Sequence, residues 1–320
     1  MRKRVGILRG GSGPQYYHSL HAGQNVLDAM PYEYDPVDVF IDRSGGWHVG
    51  GIGRRPEEIL PHLDVVFNAL YGSNGDEAVI ARTLEQFDVP FTGSNARALS
   101  VGASKLATKK IAHGAGLRVP YGVVVERGAP IEQAAQEVWQ AMAGPWIAKP
   151  NNTGWSEGVR VARNRSELEQ VLAQLLATYD LVLVEEYVRG REATVGIIES
   201  FRGQDQYALP PVEINRAGEA IFEQGRKAMS GHVHSVPGRF SADEKVRLEA
   251  IARAMHDAIG ARHYSRSDMV VHPSGTVFLL EINTLPDFGE HSPFGQALSS
   301  VGISHDAFIG HVIERALGEL

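Results

Sequence analysis

Arg266-Ser-Asp-Met-Val-Val-His272 and, after the turn Pro273-Ser-Gly275, Thr276-Val-Phe-Leu-Leu-Glu-Ile-Asn283 decide how this chain is read. The second run reads as a buried strand, and the first as its antiparallel neighbour across the turn. Such a hairpin brings Asp268 and Glu281 to the same end. Asn283, two residues beyond Glu281, shares its face, because strand side chains alternate with period two. Mg²⁺ takes oxygen ligands in a near-octahedral shell, commonly one or two protein carboxylates with phosphate and water completing the rest. Asp268, Glu281 and Asn283 are therefore a candidate metal set able to bridge a nucleotide's phosphates. Arg266, two residues before Asp268, points to the same face. Acids merely solvated at a strand end are the plain alternative, and the rest of the chain weighs against it.

At 320 residues and 43% hydrophobic content, the chain can bury one large core or two to three smaller ones. No apolar run reaches the ~18 residues needed to cross a bilayer, so no membrane is expected. Met1-Arg-Lys-Arg leads straight into the short apolar piece Val5–Leu8, too short for a signal peptide, which points to a cytoplasmic location. The absence of cysteine excludes disulfides, thiolate catalysis and cysteine-ligated metal. A net charge of −7 argues against nucleic acid as the main partner, because backbone phosphates demand a basic face. The thirteen histidines are scattered and form no His-x-x-x-His pair in an acid-containing helix.

Outward from the hairpin, residues 1–95 alternate strands (Val5–Leu8, Val37–Ile41, Val65–Ala69) with helices (about Ser19–Ala29 and Glu77–Gln86), the rhythm of a parallel, doubly wound α/β sheet. The turn Gly10-Gly-Ser-Gly13 can cradle an anion, but it lacks the G-x-G-x-x-G spacing of a dinucleotide fingerprint. Residues 96–181 form a second segment. It contains a helix over Lys105–Gly114, strands at Tyr121–Val125, Trp146–Lys149 and Val159–Ala162, and helices at Ile131–Ala143 and Ser166–Thr178. Its loop Asn151-Asn-Thr-Gly-Trp-Ser-Glu-Gly158 is too long for a tight hairpin and reads as a flap. Such loops, just after a strand-borne lysine, cover phosphates with bare amide N–H groups. Residues 182–320 hold the final segment, which begins within the strand-like run Leu181–Glu186 and continues through the strand Arg191–Ile198.

Taken in order, Lys105, Lys149-Pro150, the flap, Glu185-Glu-Tyr-Val-Arg-Gly-Arg-Glu192, Arg266-x-Asp268 and Glu281-x-Asn-Thr284 resemble the ATP-grasp fold. Their spacing is similar to that of the D-alanine–D-alanine ligase family. Gly10-Gly11 with Ser19-Leu20, Tyr71-Gly72 with Gly75-Asp-Glu77, Pro90–Ser94 and His291-Ser292 extend the resemblance over nearly the whole chain. Each motif alone is weak; their conjunction in order is not. The resemblance implies an α/β (α+β) ATP-grasp protein of three subdomains, with ATP held between the second and third. It implies a carboxylate–amine ligase: ATP phosphorylates one amino acid's carboxylate, and the amine of a second attacks the acyl phosphate to form a dipeptide for peptidoglycan precursors. Lys105 and Lys149 would neutralise the triphosphate. Glu185 and the main chain near Val188 would contact adenine, and Glu192 would accept from the ribose hydroxyls, as a carboxylate can from two donors. Two Mg²⁺ ions, replaceable by Mn²⁺, would sit on Asp268, Glu281 and Asn283. Arg266 would stabilise the acyl-phosphate and tetrahedral oxygens. Gln15, Ser156, Ser292 and Lys227 occupy the remaining positions of the family's site, and a homodimer is the implied assembly.

The substrate end departs from the family pattern. Gln15 stands where a Glu usually binds the first substrate's ammonium, and Trp155 separates Gly154 from Ser156 where adjacent serines are usual. Lys227 is followed by Ala228 where the family has a tyrosine, Asp287 follows Pro286 where it has a glycine, and Tyr71 replaces a histidine. A neutral amide at position 15 is expected to hold D-alanine weakly. An ATP-grasp ligase joining a different acid–amine pair is the second reading. A nucleotide-binding protein without catalysis is the third, and the complete set of Arg266, Asp268, Glu281, Asn283 and both lysines speaks against it.

Overall fold

The computed structural model describes residues 2–71, 76–216 and 232–319. Its first layer is a five-stranded sheet of β1 (Lys3–Gly10), β2 (Tyr34–Ile41), β3 (Trp47–Val49), β4 (Ile52–Arg54) and β5 (Val65–Asn68), in the order β4-β3-β2-β1-β5. The helices α1 (Tyr16–Asp28) and α2 (Pro56–Ile59) connect strands of this sheet, and α3 (Asp76–Gln86) follows β5. β1 lies parallel to both β2 and β5, as the strand–helix–strand rhythm predicts. Val5, Ile7, Leu8, Val65, Val66 and Phe67 are wholly buried, which is how a parallel strand covered on both faces reads in sequence. The β3–β4 hairpin escaped the sequence reading because its strands have three residues each. Gly50 and Gly51, at φ 60° and 78°, make the two-residue turn that such a hairpin favours. At the end of β1 the chain must turn sharply into α1. Gly10 has φ 98°, and a Cβ there would lie 2.1 Å from the Ile41 carbonyl oxygen, so no other residue fits. Buried Ser19 ties this corner together, accepting from the Gly10 N–H (2.9 Å) and donating to the Ala69 carbonyl (2.8 Å).

Two short helices follow, α4 (Ala96–Gly102) and α5 (Lys105–Gly114), each with a side-chain cap, from Asn95 and Ser104. The second sheet is antiparallel and contains β6 (Gly122–Glu126), β7 (Trp146–Pro150), β8 (Arg160–Ala162) and β9 (Leu181–Glu186), in the order β6-β9-β7-β8. The helices α6 (Ile131–Ala141) and α7 (Arg165–Thr178) cover one face, burying Val138, Leu168 and Leu172 against Trp146, Ala148 and Val184. β9 pairs with β6 and β7, so this sheet extends to Glu186.

The third sheet contains β10 (Arg191–Phe201), β11 (Gln204–Ala208), β12 (Val212–Arg216), β13 (His232–Ser235), β14 (Tyr264–Val271) and β15 (Val277–Asn283). Between β13 and β14 the helix α8 (Ala242–Ile259) packs Leu248, Ala252 and Met255 on the sheet's back, against Val195, Ile197 and Met269. A capping box, Ser241 with Glu244, starts α8, and Gly260 in the left-handed conformation ends it. The final helices α9 (Pro293–Ser300) and α10 (His305–Leu317) bring Phe294, Phe308 and Ile309 into the same core as β1 and β5. Chain ends are thereby joined through one hydrophobic core.

The expected hairpin is present: β14 and β15 are antiparallel, with Asp268 opposite Glu281 and Arg266 opposite Asn283. The register shifts between Asp268 and Met269, so that Met269 faces Leu279. Burial follows this slip. Val277 and Leu279 are buried, then Ile282, a change of phase across Leu280-Glu281. A bulge flips the strand's inward and outward faces. It lets the first half of β15 point at α8 while Glu281 and Asn283 point away from it.

Candidate active site

On the face turned away from α8, cross-strand neighbours Thr194, Asp268 and Glu281 form one row, and Gly196, Arg266 and Asn283 the next. Arg266 grips Asp268 with two bonds, Nε to Oδ1 at 3.0 Å and Nη2 to Oδ2 at 2.9 Å. Thr194 Oγ1 donates to the same Oδ1 at 2.5 Å. Asn283 Oδ1 accepts from the Leu285 N–H at 3.0 Å, which orients the amide at the strand's end. Among the described residues there is no cluster of three or more His, Asp or Glu that could hold a metal. Mg²⁺ in a phosphate site does not require one. Asp268, Glu281 and Asn283 present oxygen on one face; Asp268 Oδ1 is filled by Arg266 and Thr194, but Asp268 Oδ2 and Asn283 Oδ1 each accept one described bond and keep a lone pair, so the donor set fits a divalent cation completed by phosphate and water.

The lysines come from the second segment. Lys105 opens α5, Lys149 lies near the end of β7, and both are buried. Lys149 Nζ is 2.6 Å from Glu185 Oε2 on the adjacent strand β9, while Lys109 pairs with the other oxygen of the same carboxylate. Lys109 was not singled out from sequence. It lies one turn after Lys105, and the spacing of Lys105, Thr108, Lys109 and Ala112 on the buried side of α5 was the available signal. Glu185, expected near adenine, thus has its carboxylate between two lysines and is only 2% exposed. Lys105 Nζ donates to the Thr153 carbonyl, and the Lys105 N–H to the Asn151 carbonyl (3.0 Å), tying α5 to the flap.

These charges feel one another across the two sheets. Burial alone would raise the Glu281 pKa, but Lys105, Lys149, Arg266 and Lys109 together hold it below the ordinary carboxylate value. Burial lowers the Lys105 pKa, with Glu281 opposing and Lys149 assisting. Burial also depresses Lys109, to about 8, against the pull of Glu185. Burial works against the Arg266 charge, yet Asp268 and Glu281 raise its pKa above the usual value. Three buried lysines, two on α5 and one on β7, and the arginine of β14 give this region the charge a polyanion would need.

The remaining expected residues lie around this centre. Glu192 is two residues before Thr194 on β10 and shares its face. Val188 is half-buried in the connection from β9 to β10. Ser292 caps α9: its hydroxyl donates to the Asp287 carbonyl (2.8 Å) and accepts from the Gly295 N–H (3.0 Å). Gln15 is the residue before α1 and accepts from the Ser19 N–H through its carbonyl (2.9 Å). In the flap, Trp155 and Ser156 both adopt left-handed backbone, φ 56° and 59°. Ser156 is exposed, and the neighbouring Trp155 ring meets His18 of α1 with centroids 4.4 Å apart. Lys227 and Ala228 lie outside the described residues.

Residues 111–314 match the family model described as D-ala D-ala ligase C-terminus. The D-alanine–D-alanine ligase of Haemophilus ducreyi is 28% identical over 98% of both chains. That of Pelotomaculum thermopropionicum is 29% identical over 99% of this chain and 98% of its own. Among solved structures, a D-Ala:D-Ser ligase from Enterococcus faecalis superposes with a TM-score of 0.86 at 22% identity, covering 99% of this chain and all of its own. The Bacillus anthracis D-alanine–D-alanine ligase complexed with ATP does so with a TM-score of 0.82 at 22% identity, over 99% and 98% of the two chains. At that identity the superpositions speak for the ATP-grasp fold, while the family model spans well over half the chain. Fold, motif order and family model agree that this chain belongs to the D-alanine–D-alanine ligase family.

Proposed function

We propose that this protein, an ATP-dependent ligase forming a carbon–nitrogen bond, joins two amino acids as a D-alanine–D-alanine ligase or a relative with an altered amino-acid pair. The observation carrying this reading is the cross-strand set of Arg266, Asp268, Glu281 and Asn283 on one strand face, together with the buried lysines Lys105, Lys109 and Lys149, whose charges act on Glu281; it supports a strand face for a cation beside lysines for phosphate. A first amino acid's carboxylate oxygen attacks the γ-phosphorus of ATP, and the bond to ADP breaks. The amine of a second amino acid then attacks the acyl carbon, the carbon–oxygen bond to phosphate breaks, and the nitrogen loses a proton. Both steps build charge that this chain's residues are placed to balance. Lys105 and Lys149 offset the triphosphate. Arg266, its fork already held by Asp268, offers N–H groups to the tetrahedral oxyanion. Glu192 would accept from ribose, and Glu185, paired with Lys109 and Lys149, would hold both lysines for the nucleotide. Two Mg²⁺ ions on Asp268, Glu281 and Asn283 would neutralise the β and γ phosphates when bound.

Gln15, Ser156 and Ser292 are assigned to the amino-acid side. The second reading, a different amino-acid pair, is favoured by Gln15, Trp155 and Asp287 at that side. No helix among the described residues is long and apolar enough to cross a membrane. Supply of ATP suits a cytoplasmic setting, and a homodimer is the assembly the resemblance implies. The test is ADP release across D- and L-amino acids, beside Glu281→Gln. Amino-acid-dependent release in the wild type, abolished in a folded Glu281→Gln protein, is the expected result. Release independent of amino acids would refute ligation, and full activity of the variant would refute the metal assignment.

A further inference from the structure

In any α-amino acid the ammonium nitrogen lies about 2.5 Å from the carboxyl carbon. Whatever receives the ammonium of the activated amino acid must therefore stand close to Arg266, which receives the reacting carboxyl oxygens. Three carboxylates lie by sequence and register around the Arg266 guanidinium: Asp268, which it grips, Glu281, opposite Asp268 on β15, and Asp287, four residues past Asn283, the cross-strand partner of Arg266. The first two are spoken for by the guanidinium itself and by the phosphate-facing cation site. Asp287 has no such duty. It sits in the loop after β15, on the same connection as Ser292, and its side chain turns across the cleft to the first segment, where His18 Nε2 is 3.2 Å from its Oδ2.

The surroundings of Asp287 are those of a built anionic site. Burial would push its pKa up, but the contact with His18, the Gly289 N–H (2.8 Å to Oδ1) and the Arg266 charge hold it below the usual value. Those two contacts occupy part of a carboxylate's roughly four acceptor positions and leave room for an ammonium N–H. His18 is itself fixed from two more directions, edge-on by buried Tyr71 (centroids 5.1 Å apart) and by Trp155 of the flap. One residue from each of the three segments thus meets at His18: Tyr71, Trp155 and Asp287. All three are positions where the sequence leaves the family pattern, and Gln15, the neutral residue where an anion was expected, is three positions before His18 on the entry to α1.

We propose that Asp287, oriented by His18 and sheltered by Trp155, is the acceptor for the ammonium of the first amino acid, so that the anion missing at position 15 is supplied from the opposite wall. This rests on the ligase reading above. It replaces the expectation of a weakly held first substrate with a specific one: the first subsite binds an α-ammonium through the loop after β15, and rejects the corresponding 2-hydroxy acid.

Asp287→Asn keeps the shape and the Oδ1 acceptor for Gly289 while removing the charge. ADP release is measured at varied amino acid, with the 2-hydroxy acid of the same side chain as competing first substrate. The expected result is a tenfold or larger rise in the first-site KM, an ATP KM within twofold of wild type, and loss of the preference for amino over hydroxy acid. That preference is a ratio within one preparation and does not depend on the fraction folded. Gln15→Glu placed in the Asp287→Asn background should restore part of the first-site affinity. An unchanged first-site KM and an unchanged preference in Asp287→Asn, with the wild type active, would overturn the inference and leave the ligase reading standing. A wild type that releases no ADP with any amino acid would remove both.

Discussion

The proposed phosphate end and the proposed amino-acid end of this cleft are built in different ways. At the phosphate end almost every polar side chain hangs from a regular element: Lys149 and Glu185 from adjacent strands, Lys105 and Lys109 from successive turns of α5, Asp268 and Glu281 from one cross-strand row. Their separations are set by backbone hydrogen bonding and change little with neighbouring side chains. At the amino-acid end only His18 lies on a helix. Its partners Tyr71, Trp155 and Asp287 come from three loops, and their meeting depends on how three segments pack. On the proposed function, a charge array carried on regular elements keeps the phosphoryl-transfer geometry fixed, whereas loop-borne contacts are free to alter which amino acid is accepted.

The sharpest way to break this contrast is at Arg266, which faces both ends. Arg266→Lys keeps the charge but loses the planar fork seen against Asp268. It should lower kcat by about 10²–10³, the usual loss for one oxyanion donor, with ATP affinity little changed. Steady-state kinetics at saturating ATP checks this, and an unchanged kcat would take Arg266 out of the reaction.

Lys109 tests the phosphate end alone. In the folded protein it gives up its proton near pH 8, whereas its ordinary value is 10.5. Between those values the unfolded chain binds more protons, so this group's contribution raises stability as pH rises, and it is lost as pH falls through about 8. Urea midpoints of wild type and Lys109→Met measured from pH 7.5 to 10 should converge on different slopes, the wild type gaining at most about 1.4 kcal/mol per pH unit over the variant. Parallel slopes would show that Lys109 titrates normally.

Trp155 tests the amino-acid end alone, with the smallest effect. An aromatic edge contact such as Trp155 on His18 is worth about 0.5–1.5 kcal/mol beyond its burial. Trp155→Ala should raise an amino-acid KM by up to about tenfold and leave the ATP KM unmoved. An equal change in both would mean that the flap closes the two ends as one unit.

How much was legible beforehand differs between the same two regions. Asp268, Glu281 and Asn283 were legible because each lies at a fixed offset within a short run whose period is plain, and the Asp268–Glu281 pairing follows from a tight turn between two apolar strands, whereas Lys105 and Lys149 entered through the family resemblance. Lys109 went unnoticed since a second lysine one turn along a helix looks like a solvated face until β9 is laid beside it. The His18 cluster was visible only as separate oddities at positions 15, 71, 155 and 287, because residues from different segments have no spacing in common.

By itself the sequence determined the strand–helix rhythm, the α/β class, the hairpin and the order of charged motifs, all of which rest on local periodicity and turn chemistry. Tertiary structure decided the rest. It placed β9 in the second sheet, engaged Glu185 with two lysines, and brought Asp287 across to His18. It also set the phase of β15. Val277 to Leu280 is apolar at every position, so nothing in the run marks which side chains face inward. Only packing against α8 on one side and the gathered charges on the other selects the bulge that turns Glu281 and Asn283 toward the cleft.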